Sequence, residues 1–517
     1  MLANVTCFAG VTSNDTTSAW LNRPQCQVRS WPTGFGQQIL ILFPLLLAFG
    51  TIQFFLPLRT AIKIGADEDY ELSKVMLSLK GYKFYTEIWN DQPLLHTFIV
   101  TETVRHISPS VFAARLVTSV FAAILLASVF VMALRVSGLL VASLTTALVI
   151  AAPGFVELSG SCMVEIPALA PALAGLAVLM IAPQSKWHLR EVISGLFFAA
   201  AFQIKFINII LLPLVALVLW LSRPKGESFV KSLMILLAVF AASLAVAFVI
   251  IGILIGEGSY WMQLKQSWTA HFASTKSFEY GSPADYPFQW STFLKNWDTT
   301  LPAIVGIFVC LHQRRASPFL AIPLVWFALV LIVFGTHKPW WSYYYVHNAI
   351  PLCWCAAIGI AWILQRVQWR RNRAAFVLCV LFALGASAWA VSRVYFQVTS
   401  IRNSPKIYSS LVLKEIERYK PFTRFIYTDE PVYSFHSGIP LPPQLAVVSL
   451  KRFWSGDMTN ARLTEELRST RPGLILLGND TRELPFSDWL AQEYRLVYQD
   501  GKHRLYAHVT IADKAEY

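Results

Sequence analysis

Long apolar runs alternate with short polar connections along most of this chain. They fall at about 39–58, 111–134, 138–156, 166–182, 191–206, 207–222, 231–256, 299–312, 317–335, 345–365 and 374–392. Apart from two short ones, each is near the roughly 20 residues that cross a hydrocarbon core, so the pattern predicts about eleven membrane-spanning helices. The run from 191 to 222 is divided at Lys205, because a charge is costly at mid-membrane and cheap at a turn. Two further segments are helical in period but too polar to span. Asp69 to Lys80 places Tyr70, Leu72, Val75, Met76 and Leu79 near helical spacing, with Gly81 as a stop, and predicts an amphipathic helix lying on the membrane. A second such helix, from about Pro93 to His106, carries Glu102, Arg105 and His106 and is expected at the interface.

From about 400 the pattern changes. RFIYTDE, LAVVS and GLILLG read as strands, TEELRSTRP as a helix, and YRLVYQDGKHRLYAHV as a hairpin around Asp500-Gly501. Strands alternating with helices predict a small α/β domain. The expected organisation is a polar tail over 1–38, an all-α polytopic membrane domain over 39–392 and a small C-terminal α/β domain over 393–517. No internal repeat or low-complexity stretch is visible.

Composition supports the membrane reading. The 517 residues are 55% hydrophobic and 14% charged, with a mean hydropathy of +0.50, against about 25% charged residues in soluble domains. The net charge of +13 is read as basic cytoplasmic loops, not as nucleic-acid binding. Arg135, then Lys186 and Arg190, then Arg223, Lys225 and Lys231, then Arg314 and Arg315, then Arg366, Arg370, Arg371 and Arg373 fall in alternate loops, which the positive-inside rule places in the cytoplasm. The tail is then cytoplasmic, the wrong side for its two glycosylation sequons at Asn4 and Asn14. Loops 65–110, 157–165, 257–300 and 335–348, the turn at Lys205 and the C-terminal domain face outward. The first apolar run starts too late and is too long for a cleavable signal, so it is expected to be a retained span. The seven cysteines show no repeated CxxC spacing and are read as small packing residues.

Against this background the stretch from Gly65 to His96 is unusual. It crowds Asp67, Glu68, Asp69, Glu71, Glu87 and Asp91 beside a bilayer, where unpaired carboxylates are costly. A solvated helix N-terminus would account for Asp67-Glu68-Asp69 alone. The return of Glu87, Trp89, Asn90 and Asp91 to the same surface, with Glu165 from a distant outward loop, suits a general base together with a divalent cation held by oxygen ligands. A polar-aromatic cluster, His337 to His347, and an aromatic loop, Tyr260 to Trp297 with Trp261, Trp268, His271, Lys276 and Trp290, lie on the same side. Each reads either as an interfacial belt or as part of a binding site, the second as a lid.

At these positions the chain resembles the GT-C fold, polyprenyl-phosphate-sugar-dependent glycosyltransferases of the protein O-mannosyltransferase and aminoarabinose transferase-like group. The resemblance rests on the acidic pair in DEDYELSKVMLSLKGYKFY, on WNDQPLL, FAARLVTSVFAAILLA, VEIPAL, IKFINIILLP and HKPWWSYYYVHNAIPL, in that order, and covers residues 39 to 392. It implies transfer of a hexosyl or pentosyl group, with inversion, from a polyprenyl-phosphate-linked donor to a hydroxyl of a lipid, glycan or protein acceptor. The bacterial inner membrane is the implied setting. Asp67 falls at the catalytic base position, with Glu68 as its partner. Tyr70, Asp91 and Gln92 fall among substrate-binding positions, although many relatives have Lys or His where Gln92 stands. Lys205 matches a lysine assigned to the lipid phosphate. On the functional reading of the His337–His347 cluster itself, His337 or Lys338 would meet the donor phosphate and Tyr343, Tyr344 and Tyr345 would line the sugar, with His347 among the substrate-binding residues. Glu165, with Asp67, would hold a magnesium or manganese ion. The rival reading is a secondary transporter or lipid-linked-sugar flippase, for which repeated halves and midplane charges are the usual signs. A non-catalytic membrane sensor would leave the acidic loops without a role.

Overall fold

The computed structural model describes residues 40–182, 187–223, 229–256, 260–272, 276, 278–366, 373–478 and 485–515. The tail with both sequons, Cys7 and Cys26 lies outside them, as do Lys186, Lys225, Arg370, Arg371 and the side chain of His271.

A helix forms on each of the eleven apolar runs. α1 (Leu42–Phe55) leads to two helices of the acidic connection, α2 (Glu68–Leu79) and α3 (Leu95–His106). Then follow α4 (Val111–Ser137), α5 (Leu139–Ile150), the short α6 (Phe155–Gly160), α7 (Glu165–Ile181), α8 (Leu189–Phe202), α9 (Leu212–Ser222), α10 (Phe229–Ile255) and α11 (Tyr260–Phe272). The membrane domain is completed by α12 (Ser291–Lys295), α13 (Trp297–Gln313), α14 (Ala321–Thr336), α15 (Tyr345–Arg366) and α16 (Arg373–Arg402). Five segments are long and apolar enough to cross a membrane: Val111–Ser137, Val230–Ile255, Pro318–Thr336, Ser342–Arg366 and Arg373–Arg402. The protein is thus an integral membrane protein built mainly of helices.

Packing in this domain follows the rule for helices in lipid, where small residues bring backbones together. A Cβ on Gly306 of α13 would lie 1.8 Å from the Cys355 carbonyl oxygen of α15, and one on Gly359 would lie 2.1 Å from that of Pro302. Trp326, Trp354, Phe130 and Phe198 fill the interior, while Phe43, Phe54, Leu254, Phe308 and Leu378 are exposed as lipid-facing side chains are. The long α16 buries little of itself. It is held by Arg393, which donates to Asp298 at 2.7 and 3.0 Å, to Asn296 at 2.7 Å and to the Ala151 carbonyl at 2.8 Å.

The C-terminal region begins with α17 (Leu411–Tyr419) and holds a four-stranded sheet in the order β1-β2-β4-β3. β1 (Ile426–Thr428) and β2 (Leu474–Gly478) are parallel, and β3 (Tyr494–Gln499) and β4 (His503–His508) form the expected hairpin. Asp500 closes its turn by accepting from the amides of Lys502 and His503, both at 2.7 Å. Around the sheet stand α18 (Val432–Ser437), α19 (Leu450–Trp454), α20 (Asn460–Thr470), α21 (Ser487–Glu493) and α22 (Val509–Ala512).

Two expectations change. LAVVS is not a strand. Its carbonyls are taken by side chains: Ser73 donates to Ala446 at 2.9 Å, Tyr70 to Val448 at 3.2 Å and Arg452 to Val447 at 3.0 Å. α2 does not lie on the membrane with one polar face in water. Leu72, Val75 and Leu77 are buried, and so are Glu68, Asp69, Glu71 and Lys74. The charged groups find partners within the membrane domain, Glu68 in Arg115, Asp69 in Lys63, Glu71 in Thr97 and Lys74 in Asn90, while Leu72, Val75 and Met76 cluster with Val412, Ile416 and Val432 of the C-terminal domain. That domain's His436 Nε2 meets the Ile62 carbonyl at 2.8 Å, and Ile407 and Thr60 pair through their backbones.

Filling the α13–α15 contact tests this packing. Gly306→Val should lower stability by about 1–3 kcal/mol or more, as over-packing of tight cores does, read as a lower unfolding temperature of the purified protein in detergent. A neighbouring lipid-facing change, Phe308→Leu, should leave that temperature within a degree or two of wild type.

Candidate active site

The first requirement is to hold a short acidic segment in place where α1 ends. Gly65 permits it, since a Cβ there would come within 2.5–2.8 Å of Met163 and Ser161. The start of α2 therefore sits directly against the turn before α7. Glu68 then locks it. Its carboxylate takes Arg115 Nε at 2.8 Å and NH2 at 2.9 Å, the Cys162 amide at 2.9 Å and the Ile64 amide at 2.7 Å. Arg115 in turn donates to the carbonyls of Leu58 at 2.9 Å and Ala61 at 3.0 Å. Both side chains are fully buried. Burial pushes the Glu68 carboxyl up, but the Arg115 guanidinium and the two amides outweigh it and hold the group below the usual carboxylate range.

Asp67, one residue earlier, occupies the N-cap of α2 without capping it. Its carboxylate accepts from the Tyr343 hydroxyl instead and lies beside Glu165, Lys205 and Lys451. Burial, then the neighbouring charge of Glu165, raises its pKa above the usual carboxylate value. Lys205 stands at the break between α8 and the 3-10 turn Phe206–Leu211, where an extended backbone turns its side chain inward. It donates to Glu165 at 2.5 Å, and its ammonium lies 5.6 and 5.2 Å from the rings of Tyr343 and Tyr344. Burial would favour the neutral amine, but Glu165 raises the pKa and keeps the ammonium. His347 packs on Phe334 with ring centroids 5.2 Å apart, and its Nε2 is buried without a hydrogen-bond partner among the described residues.

Beneath the Asp91 loop lies a buried polar network. Glu71 is bonded by Lys74 and, at 3.0 Å, by Thr97, with His96 at 3.6 Å. Lys74 also donates to Asn90 at 3.2 Å, and the Gln92 carbonyl accepts from Asn90 at 2.6 Å and from Tyr85 at 2.7 Å. Burial opposes ionisation of Glu71, yet Lys74 and His96 pull its pKa down to about 2. Tyr85 is in the left-handed region at φ 63°, a conformation that a bulky residue keeps only where surrounding contacts impose it.

The residues expected from the sequence thus separate. Asp67, Glu165, Lys205, Tyr343 and Tyr344 converge at one end of the bundle. Asp91 accepts from Gln92 at 3.2 Å and has Lys451, whose charge also acts on Asp67, at 3.9 Å. His337 stands at the edge, its pKa lowered by burial and by Lys451 and Lys205. Lys338 is exposed. Tyr70 turns its hydroxyl to the Val448 carbonyl, and Tyr345 packs on Phe293 near Arg393 and Asp298, away from Lys205. The aromatic loop bridges both parts of the molecule. Gln266 reaches the Tyr85 carbonyl at 3.2 Å, Tyr280 stacks on Phe453 at 4.3 Å, and Tyr286 meets Trp341 and Trp454 at 4.8 and 5.8 Å. Sequence reasoning gave no role to Arg115 or Lys451. The first stands in a motif as a lone arginine at a span end, and the second is a surface-type lysine in another domain.

The donor set does not fit a metal cage. Asp67 and Glu165 are neighbours, and Glu165 accepts from Lys205 through Oε1 while its Oε2 has no hydrogen-bond partner among the described residues, but no group of three or more His, Cys, Asp or Glu suited to a metal ion occurs among them.

No protein-family model matches the chain, and no curated protein matches it in sequence. Solved structures do match. ArnT from Cupriavidus metallidurans bound to undecaprenyl phosphate aligns with a TM-score of 0.60 at 15% identity, over 91% of this chain and 98% of that one. The apo form of the same protein gives 0.64 at 15% identity, over 92% and 98%. An oligosaccharyltransferase from Archaeoglobus fulgidus, tethered to an acceptor peptide containing the NVT sequon, gives 0.55 at 11% identity, over 93% and 75%. At such identities the likeness establishes a shared architecture, the GT-C fold.

The Glu68–Arg115 pair is open to a direct test. Arg115→Ala leaves a buried carboxylate uncompensated and should cost about 3–5 kcal/mol, measured by thermal or denaturant unfolding in detergent micelles. Changing both partners, Arg115→Met with Glu68→Gln, should recover part of that loss.

Proposed function

Starting from the GT-C fold, we propose that this chain is a membrane glycosyltransferase that moves a sugar from a polyprenyl-phosphate-linked donor to a hydroxyl group. The observation that carries the reading is Asp67, a half-buried carboxylate with a raised pKa, set beside Lys205 and Tyr343 at one end of an apolar bundle. ArnT, which shares the fold, is solved with undecaprenyl phosphate, and a bundle of this kind offers the lipid tail of such a donor a matching solvent.

In the proposed reaction the acceptor hydroxyl approaches Asp67, whose carboxylate takes its proton. The acceptor oxygen attacks the anomeric carbon of the donor sugar. The bond from that carbon to the phosphate oxygen breaks, and the electron pair leaves with the polyprenyl phosphate. A single displacement of this type inverts the anomeric centre. The raised pKa of Asp67 makes it a stronger base than a solvated aspartate, as general-base catalysis requires. Fixed positive charge then stabilises the phosphate as negative charge builds on it. Lys205 is well placed for this, held by Glu165 and two tyrosine rings. Glu68 acts by position alone: with its oxygens engaged by Arg115 and two amides, it fixes where Asp67 points. The acceptor is a lipid, glycan or protein hydroxyl, and the site faces the outer side of the membrane, the side opposite the basic loops. A transporter or flippase is less well supported, because the paired charges cluster at one end of the bundle and not at a midplane crossing.

Transfer of labelled sugar from a polyprenyl-phosphate donor in membranes tests the reading. Asp67→Asn should lower kcat by about 10²–10⁴-fold, the usual contribution of a general base, and equal transfer by both proteins would remove Asp67 from the mechanism. The pH profile gives a second test. Only ionised Asp67 accepts a proton, so kcat/KM should fall as pH drops through its raised pKa. The Tyr343 hydrogen bond lowers that pKa. Tyr343→Phe should therefore move the acidic limb to higher pH.

A further inference from the structure

The C-terminal domain reaches the candidate active site through one short segment. In α19, Arg452, Phe453 and Trp454 each anchor on a loop of the membrane domain or on the strip that covers it. The Arg452 guanidinium lies 4.5 Å from the Trp89 ring and donates to the Gln444 and Val447 carbonyls at 2.7 and 3.0 Å. Phe453 stacks on Tyr280, and the Trp454 indole donates to the Tyr280 carbonyl at 3.4 Å. Gln444 donates to the Glu87 carbonyl at 2.7 Å. These contacts fix α19 over the Trp89–Gln92 loop. Lys451, the fourth of these consecutive side chains, is thereby aimed at the mouth of the site.

The charge inventory at that mouth sets its role. Asp67, Asp91 and Glu165 are acidic, so an incoming phosphate meets three carboxylates. Lys205 is already in hydrogen-bond contact with one of them. Lys451 stands 3.9 Å from Asp91, with 21% of its side chain exposed. That separation exceeds the roughly 2.7–2.9 Å of a charge-assisted hydrogen bond. A lysine on a flexible four-carbon stem in so loose a pair turns to a better anion at little cost. Its charge is also felt at Asp67 and His337.

We propose that Lys451, carried by the C-terminal domain, is a phosphate-binding residue of the site: it leaves Asp91 and meets the phosphate of the lipid-linked donor. The proposal rests on the glycosyltransferase reading above, and its test separates the two. Binding of undecaprenyl phosphate to the purified full-length protein in phosphatidylcholine nanodiscs is measured for wild type, Lys451→Met, Lys451→Arg and Asp91→Asn.

A contact to a charged phosphate predicts at least about tenfold weaker binding in Lys451→Met and recovery to within about threefold in Lys451→Arg. Asp91→Asn, which releases Lys451 from its carboxylate, should bind more tightly. A merely structural link between the domains predicts the opposite for Asp91→Asn, weakening like that of Lys451→Met, and this outcome overturns the proposal. Equal binding by wild type and Lys451→Met also overturns it, while leaving the glycosyltransferase reading intact. Failure of the wild type to bind undecaprenyl phosphate overturns both. In transfer assays, loss of Lys451 should raise KM for the donor while leaving KM for the acceptor unchanged.

Discussion

The ion pair between Glu68 and Arg115 is the constraint on which the rest of the site depends. Two fully buried charges are tolerated because nearly every polar atom they offer is used. Glu68 accepts four hydrogen bonds, and Arg115 gathers carbonyls from the segment that follows α1. Replacing such a pair by apolar groups often costs little stability, so net stability is a poor account of why it is there. Its geometric effect is clear. It joins the end of α1, the start of α2, the face of α4 and the turn before α7, so the backbone around residue 67 has one position. Asp67 needs no lock of its own and keeps its carboxylate for Tyr343 and for whatever enters the site.

Four carboxylates within five residues illustrate how environment assigns roles. Glu68 and Glu71 each have a buried cation and additional donors, and both are held ionised. Asp69 has Lys63 at 2.7 Å, yet burial outweighs it and pushes the pKa up to about 6. Asp67 is half-buried with one hydroxyl donor, a like charge nearby and cations only at longer range, so desolvation and that like charge raise its pKa. The same functional group is thus a strut at 68 and 71 and, in the proposed reaction, the proton acceptor at 67. Separation of pKa values by environment is how neighbouring acids come to have different chemical tasks.

Much of the fold was legible in the sequence. Each apolar run carries a helix, because hydropathy is set by lipid and does not depend on partners, although only five of the described segments are long and apolar enough to cross a membrane where about eleven spans were expected. The hairpin at Asp500-Gly501 was legible for the same reason, since its turn chemistry is local. LAVVS failed because its carbonyls found Ser73, Tyr70 and Arg452, residues far away in sequence or in an unexpected role. α2 failed in part because its charges meet Arg115, Lys63, Thr97 and Asn90 and not water, and its apolar residues meet another domain and not lipid. In the site, the acidic cluster was visible as a charge anomaly, but its division of labour was not. That Glu68 would be saturated and Asp67 left open depends on Arg115 and on the amides of Cys162 and Ile64, and spacing does not reveal these. Tyr345 and Tyr344 are neighbours in a run of tyrosines, yet the helical start of α15 points them to different neighbours.

The arrangement also bears on why a small soluble domain is attached to a membrane bundle. A site at the end of such a bundle has lipid around its sides and water above. Carboxylates there acquire raised pKa values only if water is kept away. The C-terminal domain supplies the cover. It packs with Leu72, Val75 and Met76 of α2 and accepts from Tyr70 and Ser73, pins the segment from Thr60 to Ile62, and sets α19 against the aromatic loop. The burial that raises the Asp67 pKa is therefore a property of two domains together, although every residue of the acidic cluster belongs to one. A membrane domain cut before Leu411 would keep Glu68, Arg115 and Lys205 in sequence, but would expose α2 to water and return Asp67 toward the behaviour of an ordinary surface aspartate.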